Sequence, residues 1–145
     1  IENYSRDIKE ATRIIRSHAG CPAFTEDGWK DVLEGNYVNF DEIARELLDL
    51  TRITTQGQWV DAWRKYRRCV VFAFEGRNEE LDAYFDYIQG LFIQAGSEFA
   101  HNVIGCDKAI RMFIGTSKAT LFNDLPSFAQ YERSYLIPGM VHYHD

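Results

Sequence analysis

The residues able to do chemistry are few and badly spaced for it. His18, His101, His142 and His144 form no HExxH pair, and an i, i+2 spacing such as His142/His144 shares a face only on a strand. Cys21, Cys69 and Cys106 are odd in number, far apart and without a CxxC pair. That pattern fits small hydrophobes in a reducing compartment better than a disulfide framework or a zinc site. No GxxxxGK[ST] or GxGxxG loop is present to cradle a phosphate, and no GxSxG elbow presents a serine. Carboxylate groups such as Glu79-Glu80 with Asp82, or Asp41-Glu42 with Glu46, fall where helices should begin. Negative charge is favoured there by the helix dipole, without any acid–base role. The expectation is a protein that is not an enzyme and holds no cofactor or metal.

Two charged sets merit separate reading. Arg64, Arg67 and Arg68 lie at i, i+3, i+4, on one side of a helix, and form the candidate nucleic-acid contact. The alternative is a solvated face with partners such as Asp61. Asp107 and Arg111, at i, i+4, form the candidate structural ion pair. Exposed, it is worth ~0.3–0.5 kcal/mol; buried, loss of one partner costs several kcal/mol.

The elements that must position these residues are helices. Ser5 is a first cap, ahead of Ile8, Ala11 and Ile15; Thr25 caps a helix with Trp29, Val32 and Leu33; Asn39 and Glu42 have the spacing of a capping box. Trp59, Trp63, Tyr66, Val70 and Phe74 then recur at helical spacing from about Gln58 to Glu75. After Gly76, with Asn78 as the expected cap, Leu81, Tyr84, Phe85, Ile88, Leu91 and Phe92 form a second long stripe. So short a connection predicts an antiparallel αα-hairpin, whose expected core is Trp59, Trp63, Tyr66, Tyr84, Phe85, Ile88 and Phe92. Ser97 opens a further helix running to Gly115, with a bend or restart expected at Gly105, and Ser127 to Tyr135 forms a last short one. The fold class is therefore all-α: one bundle of six or seven helices over residues 1–145. If it has sub-lobes, they are 1–50 and 58–136, divided at the weakly patterned 50–58 stretch.

Composition bounds the function. The 145 residues are 46% hydrophobic, 14% aromatic and 26% charged, which is too apolar for disorder. A net charge of −6 argues against a domain whose main work is gripping a phosphate backbone. The longest apolar run, Cys69–Phe74, is far short of a membrane span, so no membrane partner is expected. With no signal peptide, the expected location is cytoplasmic or nuclear. The start at Ile1 without Met reads as a piece of a longer chain. Tyr87, Phe128 and Tyr131 lie outside the main stripes, and aromatics beyond core needs mark a candidate interface.

The central segments carry a resemblance. Gln58-Trp-Val-Asp-Ala-Trp63 is followed by Phe74-Glu-Gly-Arg-Asn-Glu-Glu-Leu81, then Tyr84-Phe-Asp-Tyr-Ile88. Val103-Ile-Gly-Cys-Asp107-Lys108-Ala109-Ile-Arg111 and Asn123-Asp-Leu-Pro-Ser127-Phe128-Ala129 come later. In order and spacing these resemble Gag-like proteins of tyrosine-recombinase (DIRS-like) retrotransposons, fungal members above all. Ala11-x-x-Ile-Ile15, Pro22-x-Phe24, Trp29 and Gly35-x-x-Val38-Asn39-Phe-Asp41 fit at the N-terminal side. The resemblance implies a structural protein that self-associates, as a dimer or higher homo-oligomer, into a capsid-like shell around element RNA. In the family a Cys/His knuckle commonly follows this region and supplies the RNA grip. None occurs before Asp145, so RNA contact is expected outside this stretch. The retroviral Gln-x-x-x-Glu pattern ahead of Phe-x-x-Arg is also not in the sequence, and the capsid-like expectation rests on the resemblance.

Overall fold

The computed structural model describes residues 7–136, and among these it contains seven α-helices and no strand. Each helix begins and ends for a local reason. Helix α1 (Ile8–Ser17) is capped by Asp7, whose carboxylate accepts from the Glu10 N–H; Ser5, the expected cap, lies outside the described residues. Its buried Thr12 is satisfied by donating to the Ile8 carbonyl at 2.7 Å. Helix α2 (Glu26–Glu34) starts at Thr25, whose Oγ1 accepts from the Gly28 N–H at 2.8 Å. It ends at Gly35, held at φ 71°, a left-handed conformation that costs a glycine little. Helix α3 (Phe40–Leu47) is capped by Asn39, which accepts from Asp41 N–H, one residue before the position a capping box uses.

Helix α4 (Gln56–Ala73) starts at Thr55 and buries Trp59, Ala62, Trp63, Tyr66, Cys69 and Val70 on one face. Helix α5 (Asn78–Ala95) buries Leu81, Tyr84, Ile88, Leu91, Phe92 and Ala95. The expected Asn78 cap is corrected. Asn78 is already the first helical residue, and Arg77 stands at the cap position without a side-chain bond to the helix end; its Nε donates instead to Glu80, at 2.7 Å. α4 and α5 run antiparallel, because their cross-contacts pair rising with falling numbers. Gln56 bonds Gln89, Trp63 meets Tyr84 with centroids 5.4 Å apart, and Arg67 bonds Asp82.

A 3₁₀ turn (Ser97–Phe99) leads into α6 (Ala100–Ser117), so the expected start at Ser97 shifts by one turn. α6 passes through Gly105 as a single element, without the expected restart. The glycine has a packing reason: a Cβ there would lie 3.1 Å from the Tyr135 ring of the last helix. A second 3₁₀ turn (Leu125–Phe128) precedes α7 (Ala129–Tyr135), which packs on α6. Buried apolar residues from both sides of the 50–58 stretch share a core, and Ile53 within it is buried, its N–H donating to Asp41 at 2.9 Å. No described helix is long and apolar enough to cross a membrane.

Candidate functional site

The sequence-singled ion pair sits at the centre of the bundle. Asp107 is fully buried and Arg111 is 5% exposed. One helical turn apart on α6, they meet through Nε and Nη2 of Arg111, with contacts of 2.9 to 3.1 Å. Two further donors converge on the carboxylate from the hairpin. Trp59 Nε1 of α4 donates to Oδ2 at 2.9 Å, and the Tyr84 hydroxyl of α5 donates to Oδ1 at 2.6 Å. Arg111 is completed by the loop ahead of α3: its Nη1 donates to the Val38 carbonyl at 2.7 Å. Its guanidinium lies 3.5 Å from the Phe40 ring centroid and 5.2 Å from that of Tyr37. One carboxylate thus links α4, α5 and α6, and its cation partner reaches the α2–α3 loop.

Electrostatics follow from burial. Desolvation is the largest single influence and pulls Arg111 down, but the Asp107 charge and hydrogen bond together with the neighbouring Tyr37 and Tyr84 outweigh it and hold the guanidinium above its ordinary value. Burial first, then the neighbouring Asp107 charge, pushes the Tyr84 phenol well above the usual range, so it stays a donor. Both carboxylate oxygens of Asp107 are occupied by donors from three helices, and the arrangement holds those elements together.

Around this network the expected core residues fall as a set. Trp59, Trp63, Tyr84 and Ile88 are almost wholly excluded from solvent, Tyr66 and Phe92 are buried, and Phe85 is half-buried against them. Trp59 and Trp63 stack at 5.5 Å and 10°, while Phe40, Tyr66 and Phe122 close around Trp63. The Trp63 indole N–H is buried without a hydrogen-bond partner among the described residues.

The interface expectation is corrected at Phe128. It is fully buried, edge-on to Tyr84 at 6.0 Å, because the turn after Pro126 folds it back under α5. Tyr87 is half-buried and bonds Glu132 of α7, and Tyr131 is half-buried against Phe113, with centroids 5.7 Å apart. All three hold α7 to the bundle. Of the basic set, Arg67 is committed to Asp82 at 2.9 and 3.3 Å. Arg64 and Arg68 are exposed and in no ion pair among the described residues; neither pairs with Asp61.

No group of three or more His, Cys, Asp or Glu side chains able to hold a metal is found among the described residues. Cys69 and Cys106 are buried free thiols, and desolvation raises both, Cys106 to about 12, so neither is a ready nucleophile. Cys21 is half-buried and also raised by desolvation. His142 and His144 lie outside the described residues. Asp31, on α2, was not singled out from sequence. Burial, followed by repulsion from Glu42, Glu34 and Asp27, pushes it up to about 6. The signal that could have found it is the run of acids on and around α2.

Comparison with protein-family models, curated proteins and solved structures finds no match to this chain.

Proposed function

We propose that this chain is a structural, self-associating helical domain of the Gag-like class, not an enzyme. The observation that carries the reading is where the resemblance residues go. Trp59 and Trp63, Tyr84 and Ile88, Asp107 and Arg111, and Phe128 come from four separate stretches of sequence and meet in one buried contact set. A pattern consumed by the interior specifies a scaffold, whereas a catalytic pattern places reactive groups where substrate can reach them. The surface supplies the means of association. Ile14, Phe72, Ile93, Met112, Leu121 and Tyr135 are large apolar side chains left exposed, Ile93 the most at 78%.

RNA, in this reading, is gripped by a segment outside the domain. A nucleic-acid face built on Arg64 and Arg68 has lost Arg67 to Asp82 and works against a net charge of −6, so it ranks second. Light scattering on the purified chain tests the assembly reading. Mass should rise with concentration, and Ile93→Glu should weaken the rise while leaving the helical circular dichroism unchanged. If Ile93→Glu and similar changes at Met112 and Leu121 all leave the concentration dependence untouched, the exposed apolar residues do not assemble it.

A further inference from the structure

A cavity of about 370 Å³ opens beside the ionic network, between the α2–α3 loop, α4, the first turn of α5, the end of α6 and residues 120–122. Its size falls within the range of small-molecule sites and would hold about a dozen waters at ~30 Å³ each. The walls are apolar: Val32, Val38, Val70, Ile114, Leu121 and Phe122.

The polar groups lining it divide into satisfied and unsatisfied ones. Lys118 Nζ is occupied by the Glu34 and Gly35 carbonyls and by Asn36. Arg111 is occupied by Asp107 and the Val38 carbonyl. Both oxygens of Glu80 accept, one from Arg77 Nε at 2.7 Å and one from the Phe122 N–H at 2.9 Å. Among the lining side chains that hold donors in reserve, Tyr66 is buried and Arg77 is charged. The Tyr66 hydroxyl makes no hydrogen bond to the described residues although the residue is only 8% exposed. Arg77 uses Nε alone, leaving both Nη groups without a partner among them.

We infer that this cavity is a binding site for a small organic acid, one carboxylate on an apolar body of about ten non-hydrogen atoms. The Tyr66 hydroxyl and the Arg77 Nη groups donate to the carboxylate. A guanidinium fork matches a carboxylate's two oxygens, and a phenol beside it supplies a third donor. Burial raises the Tyr66 phenol to about 12, against the opposing pull of Arg77 and Arg111, so the hydroxyl is protonated and donating at neutral pH. Of the lining cations, Lys118 and Arg111 are already committed and Arg77 has free donors, with Glu80 and, behind Arg111, Asp107 as the nearby carboxylates. One negative charge is matched at Arg77, whereas a phosphate dianion is not. This inference stands independently of self-association.

The test is a ¹H–¹⁵N NMR titration of the whole chain with benzoate and hexanoate, against benzamide, hexanol and inorganic phosphate. Benzoate and hexanoate should move the amides of residues 36–38, 66, 77–80 and 114–122 saturably, with benzamide and hexanol at least tenfold weaker. Tyr66→Phe keeps the ring and removes a hydroxyl that makes no bond in the free protein, so it should fold normally and bind benzoate about tenfold more weakly. Arg77→Gln should remove the preference for benzoate over benzamide. The inference is overturned if those amides do not move, if benzamide matches benzoate, if phosphate binds more tightly than either acid, or if Tyr66→Phe binds benzoate as the parent does. Should Arg77→Gln fail to fold, the Tyr66→Phe comparison decides alone.

Discussion

Replacing Asp107 with Asn isolates the charge at the centre of the bundle while keeping the shape. Arg111, 5% exposed, would then be a cation without a counter-charge, left with the neutral amide oxygen, the Val38 carbonyl and the faces of Phe40 and Tyr37. Breaking a buried pair by removing one partner costs about 3–5 kcal/mol. The Asn amide nitrogen replaces the acceptor of either Trp59 Nε1 or the Tyr84 hydroxyl, each of which donates to a different carboxylate oxygen. Even where the Tyr84 oxygen turns to accept from the amide, one buried donor is left without an acceptor, which adds about 1–3 kcal/mol. The sum, about 4–8 kcal/mol, is comparable to the total stability of a domain this size, about 5–15 kcal/mol. Asp107→Asn should therefore be barely folded or unfolded at 25 °C. Adding Arg111→Met removes the stranded cation, so the double variant should be more stable than Asp107→Asn alone, by about 2 kcal/mol. Urea unfolding followed by tryptophan fluorescence suits the measurement, because Trp29, Trp59 and Trp63 are each 1% exposed. An Asp107→Asn variant within about 1 kcal/mol of the parent would refute the reasoning, as would a double variant costing the sum of the two singles.

Three smaller predictions follow from local geometry. A Cβ at Gly115 would sit 2.8 Å from the Tyr37 backbone nitrogen, whereas one at Gly90 meets nothing within 4 Å. Gly115→Ala should destabilise by about 1–3 kcal/mol and Gly90→Ala stabilise by about 0.5–1 kcal/mol; thermal melts that move the same way would contradict this. Asp31, pushed up to about 6 in the folded chain, binds its proton more tightly there than when unfolded. Its contribution to stability is therefore full below about pH 4 and is lost as pH rises through 6. After allowing for solvent screening of this half-exposed group, Asp31→Asn should gain on the order of 1 kcal/mol at pH 7.5 and nothing at pH 4, checked by urea midpoints at both. The Arg67–Asp82 pair is 31% and 59% exposed, so a double-mutant cycle on it should give less than about 1 kcal/mol, falling with salt.

How much of this was legible in the sequence depends on the range of the forces involved. The long stripes of α4 and α5 could be read directly, because burial of one face writes a 3.6-residue period and Gly76 leaves no room for anything but a hairpin. The i, i+4 spacing of Asp107 and Arg111 was equally visible, being local to one helix. Their burial was not, since it is made by Trp59, Tyr84 and Val38, which lie 48, 23 and 73 residues away in sequence. Phe128 shows the same limit. It stands in a short turn without a period, and only the tertiary fold sends it inward rather than to the surface. The cavity was illegible for the same reason, its Tyr66 donor coming from α4 and its Arg77 donors from the cap position ahead of α5, with walls from the α2–α3 loop and the end of α6. At helix ends, Asn78 has the chemistry of a cap, yet Arg77 takes that position because Glu80 offers its Nε a partner.

Sedimentation velocity from about 1 μM to about 1 mM tests the assembly reading most directly, since self-association is governed by mass action. The account predicts species heavier than the 16.9 kDa chain that grow with concentration. A single 16.9 kDa species across the whole range would contradict it.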